Sequence, residues 1–383
     1  MITIVIPVRN GSRTLDICLA AACAAAAPDN EVIVVDDGSS DDSAAIAARH
    51  PCRLLRLEDR RGASAARNAG AAAARGKLLF FTDADCILGP LTLSRAAAAL
   101  AAAGPRAVVG GTYETRPFDP GFFPAFQAVF VNFHETRRPA DPDYVATHAM
   151  AIRTADFRAS GGFDEHFLPI LEDVEFCHRL RREGFGLRMD PLMLVRHNFG
   201  FGLSGSLRNA ARKVRYWTRY SLRNRDLLAD SGTASRGLKA ATALAGLGWL
   251  CLAAAAARRL AALVLPVPFF FGAAVAANAG LVLAFHRAGG LRFAIAAAAY
   301  LVLLYPVAIA VGITQGLLDL ARSTRDLSGA DNAYETPLGT ETRCVEKRTG
   351  RRGGAKGRFP AAERSEATGG PQRQDPAART VDR

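Results

Sequence analysis

Leu78-Leu79-Phe80-Phe81-Thr82-Asp83-Ala84-Asp85 is an apolar run that ends abruptly in two carboxylates. Large apolar residues in a row read as a buried strand, and the acids fall at its carboxyl end. In extended backbone alternate side chains point the same way, so Asp83 and Asp85 are expected to face one cavity. Open α/β sheets bind ligands at the carboxyl ends of their strands. Paired acids there suit a hard divalent cation that also grips substrate phosphates. Taken alone, the stretch reads equally as a strand followed by a solvated acidic turn, with aspartate capping the next helix. The sequence on either side decides between the two.

Outward from this stretch, residues 1 to about 198 alternate short β-rich runs with helical ones, the pattern of an α/β domain with a mostly parallel sheet. Strands are expected at 2–8, 31–35, 53–57, 77–81, 107–114, 144–153 and 187–197, with helices between them. The segment 117–143, rich in Pro, Phe and charge, shows no clean period and is expected to be a functional loop. The first strand begins at Ile2 with no charged and apolar leader before it, so no secretory signal is expected. Seven cysteines are scattered without a C-x-x-C pair, which argues against a structural zinc site or a disulfide framework.

The net charge of +12 and a pI near 9.8 fit either nucleic acid or an anionic membrane surface. Aromatic residues interleaved with basic ones on a strand platform are missing, so nucleic acid is not an expected partner. The second half favours the membrane instead. Residues 204–230 are expected to form a basic amphipathic interfacial helix. Leu207, Ala210, Ala211, Val214, Trp217 and Leu222 share its apolar face, opposite Arg208, Arg212, Lys213, Arg215, Arg219 and Arg223. A solvated helix packed on the preceding domain is the other reading. Three apolar stretches follow at 238–257, 260–285 and 293–318, each near the roughly 20 residues that cross a bilayer. They are expected to give two to three crossings. Arg258-Arg259 and Pro266/Pro268 leave room for one interfacial or re-entrant segment. The basic tail prefers the cytoplasm, which an odd number of crossings from a cytoplasmic N-terminus forbids. From 323 to 383, Gly, Pro, Arg, Glu and Thr dominate and disorder is expected.

The motifs of residues 2–197 follow one another in a recognisable order. Ile4-Val5-Ile6-Pro7-Val8-Arg9-Asn10 opens them, and Val34-Val35-Asp36-Asp37-Gly38-Ser39 follows. Gly62 and Ala66-Arg67-Asn68-Ala69-Gly70 come next, then Thr82-Asp83-Ala84-Asp85. Gly161-Gly162-Phe163-Asp164-Glu165 leads into Glu172-Asp173, and Val195-Arg196-His197 ends the series. This order resembles the family 2 glycosyltransferases of GT-A fold, in their membrane-anchored bacterial form. The resemblance implies a Rossmann-like nucleotide-diphospho-sugar transferase domain over residues 1–203, followed by transmembrane helices within 238–320.

The resemblance also implies roles, and each has a physical reason. Pro7, Asp37, Arg67 and Asp83 would bind the nucleotide sugar. Asp37 ends a strand at the ligand edge and can accept hydrogen bonds from a base or a ribose, while Asp36 faces the other way. Arg67 can pair with phosphate or lie in solvent at a helix start, and Asn68 can fix the backbone. Asp85 is the first metal ligand, Asp83 reaches the ribose or the metal through water, and His197 adds a third contact to Mg²⁺ or Mn²⁺. Such a cation neutralises the charge of the leaving diphosphate. Asp173, at a helix start, is expected to stay ionised through the helix dipole and to act as general base, with Glu172 orienting the acceptor. A plain N-terminal helix charge is the alternative for Asp173.

Two departures stand out. Ala146 and His148 occupy a strand where many relatives carry Gly and Asn, which bears on the donor-sugar contacts. Arg212-Lys213-Val214-Arg215-Tyr216-Trp217 partly matches the Q-x-x-R-W motif of processive synthases but lacks the Gln, leaving Arg215 to neutralise the diphosphate or to anchor the helix to lipid. The expected enzyme is therefore a membrane-anchored, metal-dependent, inverting glycosyltransferase. It would pass a sugar from a nucleoside diphosphate, in the first place UDP, to a lipid or lipid-linked acceptor. It would sit in the cell membrane as a multi-pass protein with its catalytic domain facing the cytoplasm. A processive polysaccharide synthase and a non-catalytic nucleotide-sugar sensor or scaffold are the rivals. A nicotinamide-dependent enzyme is disfavoured, because no G-x-G-x-x-G follows the first strand.

Overall fold

In the computed structural model, which describes residues 1–327, β1 (Ile2–Val8) leads through α1 (Leu15–Ala25) to β2 (Glu31–Asp36), then α2 (Ser43–Ala47) and β3 (Arg53–Arg56). Next come α3 (Ala63–Ala73), β4 (Leu78–Phe81), β5 (Cys86–Leu88), α4 (Thr92–Ala103) and β6 (Ala107–Tyr113). They are followed by α5 (Phe122–Thr136), β7 (Met150–Arg153), α6 (Thr154–Ala159), α7 (Glu172–Arg182) and β8 (Gly186–His197). The strands form one sheet in the order β3-β2-β1-β4-β7-β6-β8-β5. Pairs β2–β3, β1–β2, β1–β4 and β6–β8 are parallel, while β7 runs antiparallel to both β4 and β6. Because β2, β1 and β4 are parallel neighbours, Pro7, Asp37 and Asp83 are all delivered to the same edge of the sheet. Apolar side chains line both faces of β1, as a central strand requires. Ile4 and Ile6 pack toward α1 and α4, and Val5 packs toward α3 and α7.

The segment expected to be a loop at 117–143 instead contains the fifteen-residue helix α5. Its signal lies in the spacing of Phe122, Phe126 and Phe130, one helical turn apart. These rings are buried against residues of the C-terminal helices: Phe126 stacks on Phe285 at 5.0 Å and meets Tyr300 edge-on at 4.8 Å. One hydrophobic core therefore runs from the sheet into the C-terminal helices.

Those helices are α8 (Leu203–Asn224), α9 (Arg236–Arg258), α10 (Val267–Ala277), α11 (Ala279–Ala299) and α12 (Tyr305–Leu327). Two helical stretches are long and apolar enough to cross a membrane: Arg236–Arg258, with mean hydropathy 1.8, and Ala279–Arg322, with mean hydropathy 2.3. The expected stretch 260–285 is not one helix. A tight turn at Ala261–Val264 is followed by the eleven-residue α10, which stops at Asn278. Pro266 and Pro268 cannot donate backbone hydrogen bonds, and Asn278 (φ −116°) is not helical. The tail expected to be disordered from residue 323 begins within α12, and its remainder from 328 lies outside the described residues.

Helix α8 lies directly against α12. A Cβ on Gly312 would stand 2.5 Å from the Ala211 carbonyl oxygen, and one on Gly316 would stand 2.7 Å from that of Arg215. This small-xxx-small face lets the two backbones touch. Ala211 and Val214, expected on the membrane-facing side of α8, are thus partly covered by α12.

Candidate active site

The carboxyl edge of β2, β1 and β4 opens into a cleft of about 890 Å³, lined by Pro7, Asp37, Arg67, Asp83, Asp85 and Glu172 among others. That volume lies within the usual range of ligand sites. Asp83 and Asp85 share the cleft, as expected, but not for the expected reason. They sit in a turn after β4, where the Cys86 amide donates to the Asp83 carbonyl at 3.0 Å. Their common orientation comes from the turn rather than from strand alternation.

Asp37 accepts from the amides of Arg61 and Gly62 at 2.6 and 2.9 Å and so holds the loop that forms the cleft wall. Asp36 is fully buried on the other side, where it accepts from the Ser39 amide at 3.0 Å. Asn68 does fix the backbone. Its side chain donates to the Phe163 carbonyl at 2.8 Å, accepts from the Phe163 amide at 2.9 Å and donates to Glu165 at 3.0 Å. Gly162 completes this joint: its φ of +73° and a Cβ position 2.6 Å from the Asn68 Oδ1 exclude any side chain there.

Arg67 is buried, not in solvent. Its guanidinium forks between Asp83 and Glu172, at 2.7 Å to each, and so ties the two acidic motifs together. Burial opposes the charge on Asp83, but Arg67 and then His148 outweigh it and lower its pKa. Burial and the neighbouring charge of Asp83 push Asp85 up to about 7.

The His197 Nε2 lies 3.4 Å from the Asp85 Oδ1, and its buried Nδ1 has no hydrogen-bond partner. Burial depresses its pKa to about 3, so the ring is neutral at physiological pH, the form a metal requires. Cys86 Sγ completes a compact group with these two. Burial and the Asp85 charge keep that sulfur a protonated thiol, a poor donor to a hard cation. The Asp85 carboxylate and the His197 imidazole fit Mg²⁺ or Mn²⁺.

Glu172 and Asp173 open α7, but only Glu172 lines the cleft. Asp173 is not simply ionised by its position at a helix start. Burial, then the charge of Glu172, push its pKa up to about 7, because desolvation outweighs the dipole. Asp173 instead belongs to a polar interior that the sequence did not advertise. His148 stacks on Tyr113 at 4.1 Å and lies 3.3 Å from Glu135 of α5. Burial works against protonating His148, but Glu135 outweighs it and raises the pKa, and Asp83 and Asp173 add to the effect. Thr112 donates to Glu135 at 2.7 Å.

Arg215 is a correction. It does not line the cleft but pairs with Asp319 of α12, at 2.6 and 2.8 Å. Lys213, two residues earlier, lies on another face of α8, and burial lowers its pKa against the opposing charges of Glu135, Asp173 and Asp83.

Residues 3–158 match the family described as Glycosyl transferase family 2. No curated protein sequence matches the chain. Among solved structures, the mannosyltransferase PcManGT from Pyrobaculum calidifontis, in complex with GDP-Man and Mn²⁺, is similar with a TM-score of 0.52 at 18% identity, over 83% of this chain and 87% of that one. S. aureus TarS 1–349 is similar over 88% of this chain and 94% of its own at 17% identity, with a TM-score of 0.41 that is too low to argue from. The first likeness speaks for the fold and the family match for the chemistry of the matched region. Over residues 3–158 the chain is thus similar to the family 2 glycosyltransferases, its fold is of GT-A type, and the protein is a glycosyltransferase.

Proposed function

We propose that the protein moves a sugar from a nucleoside diphosphate donor to a lipid or lipid-linked acceptor at a membrane, with inversion at the anomeric carbon. The observation behind this is the convergence of Pro7, Asp37, Asp83, Asp85, Arg67 and Glu172 on one cleft at the carboxyl edge of the sheet. A UDP-sugar is the first candidate donor, and the GDP-Man bound to PcManGT puts a guanosine donor beside it. The length and hydropathy of α9 and of the α11–α12 stretch support a membrane anchor.

Asp37 and the loop it holds would receive the nucleoside, and Asp83 the ribose. Asp85 and His197 would hold the divalent cation, which when bound neutralises charge on the leaving diphosphate. Arg67 acts by keeping Asp83 and Glu172 in place rather than by gripping phosphate. Asp173 takes the proton of the acceptor hydroxyl as that oxygen attacks the anomeric carbon. The bond to the diphosphate breaks, and the diphosphate leaves with the electron pair. One displacement on the opposite face inverts the configuration.

The test incubates the detergent-purified protein with a panel of nucleoside diphosphate sugars and lipid extract, with Mn²⁺ or Mg²⁺ against EDTA. Free diphosphate and sugar in the lipid phase are measured. Lipid-dependent release should vanish with EDTA and fall at least about 100-fold in Asp85→Ala. Metal-dependent donor binding without turnover would replace this reading with that of a sensor or scaffold.

A further inference from the structure

Away from the residues of the donor cleft, α5, α8, α9 and α12 line a second cavity of about 370 Å³ with largely apolar walls, among them Phe130, Trp217, Leu238 and Ile309. The helices that supply Leu238 and Ile309 are those with the length and hydropathy to cross a membrane. Two ammonium groups break the apolar lining. Lys239 donates to the Ala229 carbonyl at 2.6 Å and is already satisfied. Lys213 has no hydrogen bond and no ion-pair partner within 4 Å among the described residues, and burial lowers its pKa against the opposing charges of Glu135, Asp173 and Asp83. An apolar cavity with a free cation in its wall has the chemistry of a site for a lipid chain with an anionic head.

We propose that this cavity receives the acceptor as an anionic, phosphate-bearing lipid, its chain against Trp217, Leu238 and Ile309 and its headgroup on Lys213. The inference rests on the transferase reading above and specifies the acceptor within it.

Trp217 offers a readout independent of turnover. The chain has two tryptophans, so Trp249→Phe leaves Trp217 as the sole reporter. The full-length variant in neutral detergent is titrated with bromododecyl phosphate and, separately, with bromododecanol, whose bromine quenches indole at short range. The phosphate should half-saturate quenching at a concentration about tenfold lower than the alcohol, the worth of one charge-assisted contact. Adding Lys213→Gln should erase the difference. Adding Ala243→Phe, which narrows the cavity without touching Lys213, should weaken both lipids. Equal quenching by the two lipids, a preference that survives Lys213→Gln, or no quenching by either would overturn the proposal. Metal-dependent diphosphate release by the same preparation is read alongside. Its loss counts against the transferase reading and leaves the quenching result to judge the cavity.

Discussion

The donor cleft and the apolar cavity treat charge differently. In the cleft, Arg67 is already shared by Asp83 and Glu172, and Asp37 is already held by two backbone amides. In the cavity, Lys213 has no hydrogen bond and no ion-pair partner among the described residues. The cleft has met its desolvation cost during folding and presents a fixed geometry. Lys213 contributes little to the fold and stays available to a ligand. Pre-paired groups are expensive to remove from a fold, and unpaired ones are expensive to remove only from a function.

The largest effect expected is at the carboxylate beside Glu172 of the cleft. Asp173→Asn should lower kcat by about 10²–10⁴, the usual contribution of a general base. A base acts only when ionised. With the Asp173 pKa near 7, wild-type kcat should rise with pH through about 7 and level off above it, and the variant should lose that limb. A pH profile that keeps the limb in Asp173→Asn would give the titration to another group. Next comes the pre-paired cation. Arg67→Met strands two carboxylates and should destabilise the protein by about 3 kcal/mol, toward the lower end for a broken buried pair because Asp83 is partly exposed. Measured in the same denaturant series, Lys213→Gln should stay within about 0.5 kcal/mol of wild type. Equal costs would erase the contrast between the two regions. Between these lies Gly316→Leu, which drives a side chain into the α8 backbone at a cost of about 1–3 kcal/mol. Because α8 walls the cavity, lipid-dependent transfer should fall while lipid-independent donor hydrolysis persists. Parallel loss of both would mean that α8 supports the cleft as well.

The sequence announced the cleft far better than the cavity. Pro7, Asp37 and Asp83 sit at the ends of adjacent parallel strands, so short local motifs suffice to find them. The cavity is assembled from helices distant in sequence, and its features are relational. Arg215 shows the difficulty: at about 100° per residue, neighbours two apart look in nearly opposite directions, and only the packing of α12, with Asp319, tells what Arg215 meets. Glu135 was hidden because α5 was mistaken for a loop, although the Phe122, Phe126 and Phe130 spacing was visible. The ionisation of Asp173 was misjudged because helix position can be read from sequence, whereas burial depends on what packs around the residue.

The joint made by Asn68 has a consequence for how the enzyme comes into being. Asn68 grips the backbone of Phe163, 95 residues away, and Arg67 reaches 105 residues to Glu172. Contacts of such separation close late in folding. A chain emerging from the ribosome thus exposes its nucleotide-facing strand ends well before α7 exists to be tied to them. Asp173 follows Glu172 in α7 and so takes its place only once that long-range tie has closed. The nucleotide-facing strand ends and the acidic start of α7 therefore become one site only when distant parts of the chain have met.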